Sequence, residues 1–320
     1  MSVNDIENLI NDTIVNRHAE DTLVFNNLNV FFNLAEAANE TLKDVSVNFI
    51  TGVNFKQLSN IDLFNNIELV KNFYNKYNLD YDIDRNLSDG TLDFKFINNP
   101  DFNSLFVGIN SYDNSHFSVS INNNRKLIDS AILVHELSHL HDQMKFGRNQ
   151  LNDLFTEALA YYEELVYVDY LKEIGYPIDA DFISKYELFM AKDTMDNSLP
   201  LLKMLILYNN IGSISKNDYE MFYNDGECYD YNLKILKRAI RNHDYNIYKK
   251  VNYVLGMTLS FYLYNQFKDN LKDMQFLHKT ISTDNIYNIL KSIDLNSFDN
   301  SDIAKIINSV NKYYSRTRKI

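Results

Sequence analysis

Eight glycines and three prolines in 320 residues leave this chain few places to turn tightly. Architectures built from many short strands need both residue types at their turns, so their scarcity points to a mainly α fold. The periodicity agrees over most of the length. "NNLNVFFNLAEAANETLKDV" and "IDLFNNIELVKNFYNKYN" repeat apolar residues at three- and four-residue steps, the mark of amphipathic helices. Residues 1–88 read as an N-terminal helical region. Residues 89–320 read as the region that carries the chemistry, in one compact unit with the first. A core is affordable, because 45% of residues are hydrophobic and 14% aromatic.

The period changes once. Within "GTLDFKFI" (Gly90–Ile97), Leu92, Phe94 and Phe96 share one face. Within "HFSVSIN" (His116–Asn122), Phe117, Val119 and Ile121 do the same. These are strand signals, and a small antiparallel sheet over residues 90–122 is expected. The helical period then returns. Asp129 or Ser130 can cap a helix over residues 130–145, with Gly147 at its end. A second helix is expected over 151–174, ended by "GYP". Others are expected at 181–192, 198–209, 229–241, 247–268, 284–293 and 301–313.

A net charge of −12 disfavours nucleic acid and anionic membranes as partners. The basic end "SRTRKI" reads as a solvated tail. The lone cysteine, Cys228, excludes an internal disulfide framework and fits a reducing compartment. The acidic N-terminus lacks the basic start and apolar run of a signal peptide, and no apolar run reaches the ~20 residues of a membrane span. A cytoplasmic location is the expectation.

The chemistry concentrates in "AILVHELSHLHDQ", Ala131–Gln143. Residues four apart on a helix share a face, so His135 and His139 can aim at one ion. Glu136 stands beside that face, in reach of a water but not obliged to bind the ion. Two neutral imidazoles with an open position suit one zinc ion. A third ligand can come from the following helix, "LFTEALAYYEEL". There Glu157 lies among Phe155, Ala158, Leu159 and Ala160, where a solvated glutamate would be out of place. Glu164, seven residues on, shares its face and can accept from the far nitrogen of a ligand histidine. Glu163 points elsewhere and is expected in solvent. Downstream, His243, Tyr245, Tyr248 and Tyr253 offer hydrogen-bond donors within one short stretch.

Three segments, in order, resemble the oligoendopeptidase F and thimet oligopeptidase family of zinc peptidases. They are "FSVSINNNRKLIDSAILVHELSHLHD", "TEALAYYEE" and "HDYNIYKKVNYVLGMTLSFYLYNQF". The likeness covers roughly residues 90–270. It implies a multi-helix zincin-like fold. It also implies His135, His139 and Glu157 as zinc ligands, Glu136 as general base and Glu164 as their hydrogen-bonded support. His243 and Tyr253, with Tyr248 as a third, become the donors to the transition state. The implied activity is hydrolysis of internal bonds in short peptides by metal-activated water, in the cytoplasm. The chain departs from the family in four ways. It is shorter, it has Ser138 where the family favours Gly, its gap before Glu157 is shorter, and it lacks the family's glycine-rich tyrosine loop. A zinc protease acting on a specific protein, and an inert scaffold of the same fold, are the competing readings. The strand Phe117–Ile121 either accepts substrate backbone as an added strand or packs on the motif helix.

Overall fold

The computed structural model describes residues 28–46, 58–77, 83–97, 107–113, 116–122, 126–147, 153–241, 247–269, 272–283 and 286–319, with a few single positions between them. Helices dominate. In chain order they are α1 (Leu28–Thr41), α2 (Leu63–Lys76), α3 (Ile83–Ser88), α4 (Ile128–Phe146), α5 (Asp153–Glu173) and α6 (Pro177–Ile211). They continue with α7 (Lys216–Tyr223), α8 (Gly226–Arg241), α9 (Ile247–Phe267), α10 (Lys272–Thr283), α11 (Ile286–Ser292) and α12 (Asn300–Arg318). Between α3 and α4 lie the strands β1 (Leu92–Ile97), β2 (Val107–Asp113) and β3 (His116–Asn122).

Which helices lie at the centre follows from their sequences. On α4, residues from Ile128 to Asp142 are buried on nearly every side. On α5, Phe155, Ala158, Leu159, Tyr162, Leu165, Val166 and Tyr167 are buried, again all round the helix. α9 buries an unbroken run from Val254 to Tyr264. A helix without a polar stripe must be surrounded, and α5 packs against both α4 and α9 in the middle of the molecule. α1, α8 and α12 keep a polar face and form outer layers.

Several sequence expectations change. The sheet is mixed, not antiparallel: its order is β1-β3-β2, with β3 parallel to β1 and antiparallel to β2. β2 carries no clear alternation and was not legible. Because β3 is paired along both edges, it cannot take a substrate strand, and among the described residues β1 and β2 are the outer strands. β3 buries Phe117 and Val119 beside the motif helix, and Ser118 and Ser120 of its other face are buried as well. The helices expected at 181–192 and 198–209 are one, α6, running through Pro200. An interior proline costs a helix about 3 kcal/mol, which burial of Leu201, Leu202, Met204 and Leu205 outweighs. α4 begins two residues earlier than expected, with Leu127 as its N-cap. Asp129 lies inside the helix and accepts from the Lys126 N–H. "SRTRKI" is no solvated tail: residues to Arg318 form the last turns of α12, and Arg316 bonds to Asp169 and the Tyr264 hydroxyl.

α12 is fixed at its start by Asp302, fully buried, whose Oδ2 accepts from the backbone N–H groups of Asn296, Ser297 and Phe298 at 2.8–3.1 Å. Asp302→Ala leaves those donors without their partner, the Phe298 N–H among them buried. It is expected to destabilise the protein by about 2–3 kcal/mol, read as a lower urea midpoint at unchanged slope.

Candidate metal centre

α4 is held rigidly where the motif sits. The Tyr74 hydroxyl of α2 donates to the Val134 carbonyl at 3.0 Å, and Tyr167 of α5 donates to Ser130 Oγ at 2.8 Å. At its end Gly147 adopts φ 75°, a left-handed value that glycine takes without strain, and donates to the Gln143 carbonyl. α5 then runs back along α4. His135 meets Glu164 while His139 meets Glu157, so the pairs run in opposite order and the helices are antiparallel.

This places three donor atoms around one point. His135 Nε2 and His139 Nε2 are 3.1 Å apart. Glu157 Oε2 lies 3.6 Å from the first and 3.5 Å from the second. A tetrahedral ion of zinc size, with bonds of about 2.0–2.1 Å, needs ligand atoms about 3.3 Å from one another. The three separations bracket that value. Glu157 Oε2 is moreover a buried oxygen without a hydrogen bond, a costly state unless a cation sits against it.

The electrostatics point the same way. Burial would push the Glu157 carboxyl up, but the closeness of His139 and then of His135 holds it down at about 2. Burial opposes charge on His135 and His139, yet Glu164 and Glu157 raise the first well above the usual histidine range, and Glu157 raises the second. Two carboxylates thus create a strong demand for positive charge between the imidazoles. His135 Nδ1 lies 2.6 Å from Glu164 Oε1. With the Nδ1 proton donated there, Nε2 is left as a lone pair facing the centre.

Glu136 lies outside this triangle. It is mostly buried, and burial raises its carboxyl above the ordinary range. Tyr253 of α9 is exposed and close enough to Tyr161 to act on its hydroxyl electrostatically. Tyr248 belongs to α9, but its side chain lies outside the described residues, as do His243 and Tyr245 altogether.

Some neighbours were not foreseen. The Tyr161 ring stands edge-on to His135, centroids 4.5 Å apart. Burial and then Glu157 and Glu164 push its hydroxyl well above the phenol range, so it stays a donor. Its position four residues past Glu157 was a usable signal. Glu187 of α6 is buried and hydrogen-bonded to Glu164; burial and then Glu164 push it well above the carboxylate range, so it holds a proton and donates it. No local pattern marks it. Gly256 of α9 passes so close to α5 that an added Cβ would stand 2.7 Å from Glu157 Cβ. Glu163 is fully buried, not solvated, and bonds to His278.

Neither a protein-family model nor a curated protein sequence matches the chain. A crystal structure of "a putative oligoendopeptidase F from Bacillus anthracis str. Ames" is similar in structure. Its TM-score is 0.52 at 13% identity, over 90% of this chain and 56% of that one. The two share a fold. The architecture is therefore multi-helix and zincin-like, and the chain spans just over half the length of the structure it matches. Among the described residues no helix is long and apolar enough to cross a membrane.

Proposed function

We propose that this chain is a zinc metallopeptidase that hydrolyses internal bonds of short peptides. The observation that carries the reading is the triangle of His135 Nε2, His139 Nε2 and Glu157 Oε2 at tetrahedral spacing, with the carboxylate oxygen otherwise unsatisfied. The shared fold supports it. Two imidazoles and one carboxylate are the donor set of catalytic zinc, which keeps a further position open. Zinc held there would supply an activated water near neutral pH and a Lewis acid for the peptide carbonyl.

The chain's own residues do the rest. Glu136 takes the proton from the attacking water and returns it to the leaving amine. Glu164, bonded to His135 Nδ1, fixes that ring's tautomer and direction, and the proton on Glu187 keeps Glu164 in place. Tyr253, accessible beside Tyr161, is assigned as a donor to the developing oxyanion. His243 and Tyr248 keep the same assignment from the family resemblance alone.

The test is mass-spectrometric detection of cleavage in a mixed short-peptide library by the zinc-loaded protein, with and without chelator. Chelator-sensitive cleavage at internal bonds is the expected result. No cleavage of the library, with chelator-sensitive cleavage of one folded protein, would keep the reaction and replace the substrate class. No cleavage of either by zinc-loaded protein would refute the reading. Glu157→Gln is expected to weaken zinc binding by at least tenfold in competition with a chromogenic chelator. Unchanged affinity would place the third ligand elsewhere.

A further inference from the structure

Adjacent glutamates on α5 face opposite ways. Glu164 meets His135, whereas Glu163 meets His278 of α10. His278 is buried and gripped from both sides. Its Nδ1 lies 2.8 Å from Asp142 Oδ1, and its Nε2 bonds to Glu163 Oε1. His141 completes the group: donor atoms of His141, Asp142 and His278 all lie within 4.8 Å of one another. His141 is two residues past His139, hence about 200° round the helix. This second cluster therefore stands on the far side of α4 from the first.

Charge and hydrogen bonding both leave this cluster incomplete. Asp142 and Glu163 are 1% and 0% exposed. Among the described residues their ion pairs are with His278 alone, so two buried carboxylates share at most one positive charge. Glu163 Oε2 is buried and makes no hydrogen bond of good geometry, with the Ser138 hydroxyl beside it. The His141 ring lies beside that of His278, centroids 5.3 Å apart, and brings a further imidazole nitrogen to the group. A cavity of about 220 Å³, lined by Tyr81, Leu137, Leu140, Met144 and Lys145, reaches His141 and provides a way in.

We infer that His141, Asp142 and His278 bind a second divalent cation of the zinc type, with Glu163 holding the far nitrogen of His278. The donor set is again two imidazoles and a carboxylate, which favours zinc-like ions over magnesium or calcium. The arrangement repeats the logic of the first centre, in which a glutamate of α5 braces a ligand histidine. Binding displaces the proton between His278 and Asp142 to solvent, and the ion's two charges balance the two buried carboxylates. The ion would tie α4, α5 and α10 together behind the first centre. None of this depends on the peptidase reading.

The test is metal stoichiometry of the full chain, stripped with chelator, dialysed against zinc and measured by mass spectrometry. Two ions per wild-type chain are expected, and one in His141→Gln with its helical circular dichroism intact. If His141→Gln does not fold, Asp142→Asn serves in its place. Glu157→Gln, weakened at the first centre, should retain the second ion, and its melting temperature should rise by several degrees on adding zinc. One ion per wild-type chain that His141→Gln retains, two in a folded His141→Gln or Asp142→Asn, or no thermal shift in Glu157→Gln overturns the inference. The cluster would then be an imidazolium bridging two carboxylates.

Discussion

Glu136→Gln is expected to lower turnover of a cleaved peptide by roughly 10²- to 10⁴-fold, the usual worth of a positioned general base. Its metal content should not change. Glu136 neighbours His135 in sequence but stands outside the triangle of donor atoms, so the metal loses nothing when its charge is removed. Gln has nearly the same shape and keeps the packing of a side chain that is mostly buried. Only the ability to accept a proton disappears. Turnover of a fluorogenic peptide beside zinc content measures both halves. A wild-type rate in Glu136→Gln would remove Glu136 from the reaction, and lost zinc would make it a ligand.

Gly256→Ala should damage the centre without touching any donor atom. The added Cβ would stand 2.7 Å from Glu157 Cβ, 3.1 Å from the Ala158 nitrogen and 3.2 Å from the Glu157 carbonyl carbon. Real Cβ atoms do not approach to 2.7 Å, and the two tight contacts beside it are with backbone, which cannot swing aside. α9 and α5 must therefore separate. In a core packed like this one, such overpacking costs roughly 1–3 kcal/mol. The displacement falls at Glu157, so zinc affinity should drop together with the melting temperature. A control such as Asp302→Ala should lower stability alone. If Gly256→Ala lost stability with zinc affinity intact, the contact would be structural only.

The helical class was readable because scarce Gly and Pro and the three- to four-residue period both act locally. Local signals also located the motif helix, its follower with Glu157 and Glu164, and the strands β1 and β3. The errors fall where tertiary contact overrode them. Residues 193–197 read as a break between two helices, but α6 runs on through them and through Pro200, where Leu201, Leu202, Met204 and Leu205 are buried. Glu163 reads as a surface residue because most glutamates are; His278, 115 residues away, gives it a buried partner.

What the sequence determined by itself is periodic: an i, i+4 pair of imidazoles on one helix and an i, i+7 pair of glutamates on the next. These follow from backbone geometry, which is the same wherever such residues occur. The tertiary structure alone decided how the sets meet. It fixed the antiparallel pairing of α4 with α5, the donor spacings of 3.1–3.6 Å, the buried Glu187 behind Glu164 and the closeness that Gly256 permits. Those are distances between elements far apart in the chain, set by how the whole core packs, and no local pattern encodes them.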